Sequence, residues 1–132
     1  MSSLSQLAAL VGALAYLGAA PFEMVLFGRP ATMRFLHVET DHVEDVRMWA
    51  FCIGARNALA GAGTIAGLVI LHSGDATVGR AVVITCVAYM LLASLAMGVA
   101  DALGYWRPRG GSVLGTVASS APPLVALVAA TL

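Results

Sequence analysis

Glu23, Arg56, Asn57 and Asp101 are the side chains of this sequence best placed to do chemistry, because each interrupts or borders a long apolar run. Glu23 lies in "AAPFEMVLFGRP", residues 19–30, two positions after Pro21. An ionised carboxylate in hydrocarbon is costly, and such groups in spanning segments are rare and usually paired or functional. Two readings of Glu23 follow. It pairs with Arg56 and locks two helices together, or it gives and takes a proton in a pocket. An arginine neighbour keeps a carboxylate charged, which suits a base better than an acid. Asn57 both donates and accepts hydrogen bonds, so it either bridges helices or orients a ligand. Asp101 either caps the bundle near Trp106 or joins Glu23 and Asn57 as a catalytic group. Tyr16, Arg56, Trp49 and Ser119 are the candidates for contact with a substrate.

These residues need elements to hold them, and the composition says which kind. The chain has 132 residues, 60% hydrophobic and 11% charged, with a mean hydropathy of +0.90. Soluble domains are about 45–50% apolar and about 25% charged. The excess predicts a membrane protein. Apolar segments run over 4–27, 48–71, 78–103 and 112–132. Each reaches the roughly 20 residues that cross about 30 Å of hydrocarbon. None alternates like a barrel strand, and backbone groups in lipid must be satisfied internally, so the segments are predicted to be helices. The fold class expected is all-α: a single domain, 1–132, forming an integral membrane up-down bundle of four spans.

The connections set the orientation. The first, "GRPATMRFLHVETDHVEDVR", is long and polar; "HSGDATVGR" and "GYWRPRGG" are short. Short links make antiparallel neighbours. All seven basic residues are arginines, and the first and third connections carry Arg29, Arg34, Arg47, Arg107 and Arg109. Arg80 stands alone opposite. Counting arginines puts the first group in the cytoplasm and both termini outside, in a multi-pass protein of the cell or inner membrane. Trp49, Tyr105 and Trp106 fall where an aromatic belt forms. Asp41 and Glu44 have the spacing of a capping box, with Asp41 as N-cap of the second span. Asp41, Glu44 and Asp45 also suit a helix N-terminus.

Depth and face bring the polar groups together. At 1.5 Å per residue, Glu23, Arg56, Asn57, Ser119 and Ser120 all sit in the cytoplasmic half. Gly12, Tyr16, Ala19 and Glu23 share a stripe, as do Gly54, Asn57, Gly61 and Thr64. Arg56, Ala60, Gly63 and Gly67 form an adjoining one. Small residues at this spacing let membrane helices approach. Gly63 and Gly67 serve either an internal contact or a dimer face. Ser94, Met97 and Asp101 share a face of the third span. Pro122-Pro123 removes two backbone donors and predicts a kink in the fourth, with the upstream serines available to the freed carbonyls.

Other chemistries find little purchase. Cys52 and Cys86 lie within apolar runs, at no metal or redox spacing, and read as small core residues. His37, Glu39, Asp41 and His42 invite a metal, but the segment is also where a helix cap is expected; no metal and no cofactor is predicted. His72 reads as interfacial. No nucleophile elbow, phosphate loop, dinucleotide fingerprint or zincin motif occurs. No basic stripe exists for nucleic acid. Residues 1–20 resemble a signal peptide at their small-residue end but lack its basic start, and are read as retained.

"MWAFCIGARNALAGAG" at residues 48–63 resembles a stretch in a family of small four-helix bacterial membrane proteins, domain of unknown function 1304. That family tends to have an acid late in its first helix, a Phe-Gly-like turn, an Asn-Gln-Gly-x-x-Asn motif and a proline-rich last helix. Glu23 matches the acid, Asn57 the last asparagine, and "SSAPPLVALVA" the final helix. Cys52 and Ile53 replace the motif's first two residues, and Arg56 stands where an aromatic is common. The resemblance implies a fold and no established activity.

The resulting expectation is a membrane-embedded protein that binds a lipophilic small molecule within the bilayer, acting as an isomerase or cyclase by proton transfer. Glu23 is the acid/base, Asn57 orients substrate and Arg56 tunes Glu23. The alternative is a non-catalytic assembly partner, or a subunit of a channel-like homo-oligomer.

Overall fold

The computed structural model describes residues 1–131 and is helical throughout, with no strand among them. The elements are α1 (Ser3–Met24), α2 (Pro30–Leu36), α3 (Val43–Ser73), α4 (Ala76–Ala102) and α5 (Val113–Thr131). Four of them, α1, α3, α4 and α5, are long and apolar enough to cross a membrane. They are the four segments expected, with shifted ends. Residue 132, expected to close the last span, lies outside the described residues.

The starts of α4 and α3 have local causes. Helix α4 begins at Ala76 because Asp75 caps it, its Oδ1 accepting from the amides of Thr77 (2.8 Å) and Val78 (3.2 Å). The N-cap of α3 is His42, with no side-chain capping bond, so Asp41 is not the cap that its spacing suggests. Thr40 Oγ1 takes the His42 amide at 3.0 Å instead, which starts the helix one residue later. Glu44 and Asp45 still fall in the first turn, where negative charge meets the free amides. The first connection is not all loop either. Pro30 opens α2 at a position where its missing N–H costs nothing. His37 closes α2 in the left-handed region at φ 53°. Phe35 of α2 rests on Phe22 of α1, ring centroids 5.0 Å apart.

The spans pack in a square, α1 against α3 and α5, α4 against α3 and α5, with a minor diagonal between α1 and α4. The centre is filled by small or slender side chains, among them Ala9, Ala13, Val83, Val87, Met90 and Ala126. Large apolar residues such as Leu7, Leu14, Leu59, Leu92 and Leu114 point outward. That inversion suits a lipid surround, because hydrocarbon offers no drive to bury leucine and close packing must hold the helices instead.

Glycines do this packing. A Cβ on Gly61 would come within 2.7 Å of Leu17 and 2.8 Å of the Ala13 carbonyl, so α3 lies almost on the backbone of α1. Gly63 and Gly67 are spent inside the molecule: a Cβ there would stand 2.8 Å from Cys86 Sγ and 2.9 Å from Val83. Their stripe therefore faces α4. Gly12 makes room for Pro122 and Pro123, each 3.7 Å from the place of its absent Cβ. The proline pair is thus a contact between α5 and α1. The serines before it do not serve the carbonyls it frees. Ser119 Oγ donates to Gly115 O (2.7 Å) and Ser120 Oγ to Val117 O (3.4 Å).

Candidate functional site

Glu23 and Asn57 meet. Gly54, one turn before Asn57, carries no side chain where α1 comes closest: a Cβ there would lie 2.5 Å from Met24 Cγ, 2.9 Å from Ala20 O and 3.0 Å from Glu23 Cβ. That approach lets Asn57 Nδ2 donate to Glu23 Oε2 at 2.7 Å. Both side chains are half-buried.

Arg56 does not join them. Among the described residues the ion pairs are His42–Asp45 at 3.9 Å and Glu44–Arg47 at 3.6 Å, both within the first turns of α3. Arg56 is exposed. The expected Glu23–Arg56 pair is therefore replaced by a Glu23–Asn57 hydrogen bond. The reason is helical geometry: successive residues point about 100° apart at 3.6 per turn. With Asn57 turned to α1, its neighbour turns off that interface.

Tyr16, two turns from Glu23 along α1, is buried in the middle of the bundle. Its hydroxyl donates to Met90 O at 2.6 Å and shares a second 2.6 Å hydrogen bond with Ser94 Oγ. Both of its hydrogen bonds thus go to α4. The sequence marks Ser94 only as part of a face and gives no sign of this bond. Asp101 is also buried, at 5% exposure. Its Oδ1 accepts from the Gly110 amide (2.7 Å) and its Oδ2 from the Ser112 amide (2.9 Å). The carboxylate thus anchors the α4–α5 connection and makes no hydrogen bond to Glu23 or Asn57. Trp49 is 62% exposed on the outer face of α3. Ser119 turns back on its own helix. Of the sequence candidates, the structure brings Glu23 and Asn57 into contact; Tyr16, Asp101 and Ser119 bond elsewhere, and Arg56 and Trp49 are exposed.

The two arginine-bearing connections cross over this end of the bundle. Trp106 Nε1 donates to His37 O at 2.8 Å, and the Glu39 amide to Arg107 O at 2.9 Å. At the opposite end Gln6 Oε1 meets His72 Nε2 at 2.7 Å, and Ser2 Oγ donates to Ala129 O at 2.8 Å.

Two open clefts stand out among the described residues. One, about 340 Å³, lies between α4 and α5 at the arginine end and is lined in part by Asp101, Arg109, Ser112 and Thr116. The other, about 510 Å³, lies between α1 and α3 at the far end, below Gln6 and His72. Neither is lined by Glu23 or Asn57.

No curated protein and no solved structure matches the chain. One family does, and its match covers Glu23, Asn57, the crossed connections and the proline pair. Over residues 10–131 the chain fits the family described as "Protein of unknown function (DUF1304)", and it belongs to that family.

Proposed function

We propose that this protein engages a lipophilic small molecule at the Glu23–Asn57 pair and moves a proton at it, as an isomerase or cyclase does. One observation carries the reading: among the described residues Glu23 is held by a neutral amide and by no cation. A neutral donor fixes the carboxylate in place without cancelling its charge. It takes Oε2, and Oε1 makes no side-chain hydrogen bond among the described residues. General acid–base catalysis asks for such a positioned group within hydrogen-bond reach of the reacting atom. Gly54 and Tyr16 act as positioning residues, the first by close helix approach and the second by fixing α1 to α4. Trp49 and Ser119 belong to the outer approaches in this reading. The arginine-bearing end faces the cytoplasm and both termini face outward, in keeping with the arginine asymmetry of the loops.

The test works on a mixture in which the substrate has not been identified. Purified protein is incubated with a membrane lipid extract in deuterated water, and the lipids are searched by mass spectrometry for deuterium at carbon. The wild type should label a lipophile that the Glu23→Gln variant does not. Absence of labelling by the wild type would sink the proton-transfer reading.

A second reading is a non-catalytic assembly partner, in which Glu23 and Asn57 simply join α1 to α3. It is favoured by the position of both clefts away from the pair. It predicts no labelling and a loss of stability when the hydrogen bond is deleted.

A further inference from the structure

The α4–α5 cleft holds the one pair of buried, unpartnered hydroxyls among the described side chains, those of Ser112 and Thr116. Ser112 is 2% exposed. A buried polar group without a partner is costly, and it calls for an explanation where it occurs. The backbone does not supply one. The Ser112 amide is taken by Asp101, and the Ser112 carbonyl accepts the Thr116 amide at 2.7 Å.

The chemistry of the cleft changes in order along the chain. Arg109 stands in the connection outside α5. Ser112 precedes the first turn, Thr116 lies one turn further in, about 6 Å along the axis, and Val117 continues the wall with Gly98 of α4 opposite. From outside inward this reads cation, hydroxyl, hydroxyl, apolar surface. A glycerophospholipid at a membrane boundary presents the matching order: phosphate, ester carbonyls, acyl chain. Asp101 shares the cleft; two backbone amides occupy its oxygens, and its negative charge lies within electrostatic reach of Arg109, so a phosphate there would share that arginine with the carboxylate. The volume suits a head segment rather than a whole lipid, and the open side leaves the acyl chain to the bilayer.

We propose that the α4–α5 cleft is a glycerophospholipid site, with Arg109 on the phosphate and the hydroxyls of Ser112 and Thr116 donating to the ester carbonyls. Basic pockets between spans are suited to such headgroups. The two hydroxyls reach the ligand by turning about χ1, a step open to small side chains at a cleft wall. The site is independent of Glu23.

The experiment is a titration of the purified protein in detergent with phosphatidylglycerol, followed by native mass spectrometry and thermal unfolding. Wild type should bind one lipid, and Arg109→Gln and Thr116→Val should each bind it about tenfold more weakly, the scale of one charge-assisted or buried hydrogen bond. Thr116→Val keeps the side-chain shape and removes an unpartnered hydroxyl. Without lipid it should therefore be at least as stable as wild type. Diacylglycerol, which lacks the phosphate, should bind weakly to all three, and inorganic phosphate should not compete. Equal lipid affinity in wild type and both variants would overturn the assignment. Diacylglycerol binding as tightly as phosphatidylglycerol would overturn it too, as would displacement of the lipid by inorganic phosphate.

Discussion

Asn57 Nδ2 donates to Glu23 Oε2 across 2.7 Å, joining α3 to α1 where Gly54 lets the two helices nearly touch. The hydrogen bond makes Glu23 a fixed acceptor rather than one half of an ion pair, and separate substitutions can tell position from charge.

Glu23→Gln keeps an acceptor for Asn57, whereas Glu23→Leu and Asn57→Leu remove one side of the bond. Interhelical side-chain bonds in membranes average about 0.6 kcal/mol and reach about 1.7 kcal/mol, and this bond should not exceed that ceiling. Unfolding in mixed micelles should therefore show Glu23→Gln close to wild type and the two leucine variants less stable. A double-mutant cycle giving no coupling between positions 23 and 57 would contradict the observed bond.

Gly54→Ala should be damaging and Gly18→Ala harmless. A methyl at position 54 collides with Met24, the Ala20 carbonyl and Glu23, while one at position 18 meets nothing within 4 Å. Alanine is a better helix former than glycine by about 1 kcal/mol. Gly18→Ala should then match or slightly exceed wild type in thermal unfolding. Gly54→Ala should lose stability and, with it, any activity that depends on Glu23.

Tyr16→Phe removes the hydroxyl that bonds Met90 O and leaves Ser94 without its partner. A loss of about 1–3 kcal/mol is expected for a buried group so orphaned. Adding Ser94→Ala should recover part of it, because both ends of one bond are then gone. Simple additivity of the two losses would argue against a shared bond.

Asp101→Asn presents one strong acceptor where two backbone amides are waiting. The connection around Gly110 and Ser112 should loosen. Hydrogen exchange is the measurement: the Gly110 and Ser112 amides should exchange faster, while those of α1 and α3 stay unchanged. Arg56→Gln, by contrast, should leave stability within about 0.5 kcal/mol, as exposed substitutions without partners do.

The spans are legible in the sequence because length and apolarity decide them almost alone. The face of α3 is legible too: Gly54, Asn57, Gly61 and Thr64 share a stripe, and that stripe does meet α1. The partner of Glu23 is harder. Charge favours Arg56, but one residue of helical rotation separates Arg56 from Asn57, and a stripe of residue types does not resolve that angle. Helix α2 escapes a sequence reading although Pro30 marks its start; seven residues in a polar connection carry too little periodicity to stand out. Asp101 reads from the sequence either as a cap of the bundle near Trp106 or as a catalytic companion of Glu23 and Asn57. Its true partners are backbone amides nine and eleven residues on, which no side-chain pattern reveals.

The clasp between Trp106 and His37 spans 69 positions of sequence. During biosynthesis its second half exists only after α4 has been made. Until then α1 and α3 can lie in the membrane with the arginine-bearing connection between them, α2 included, untied. Closing this end is thus a late event in the birth of the protein. A nascent chain truncated before residue 106 should insert its spans yet leave the first connection open to protease.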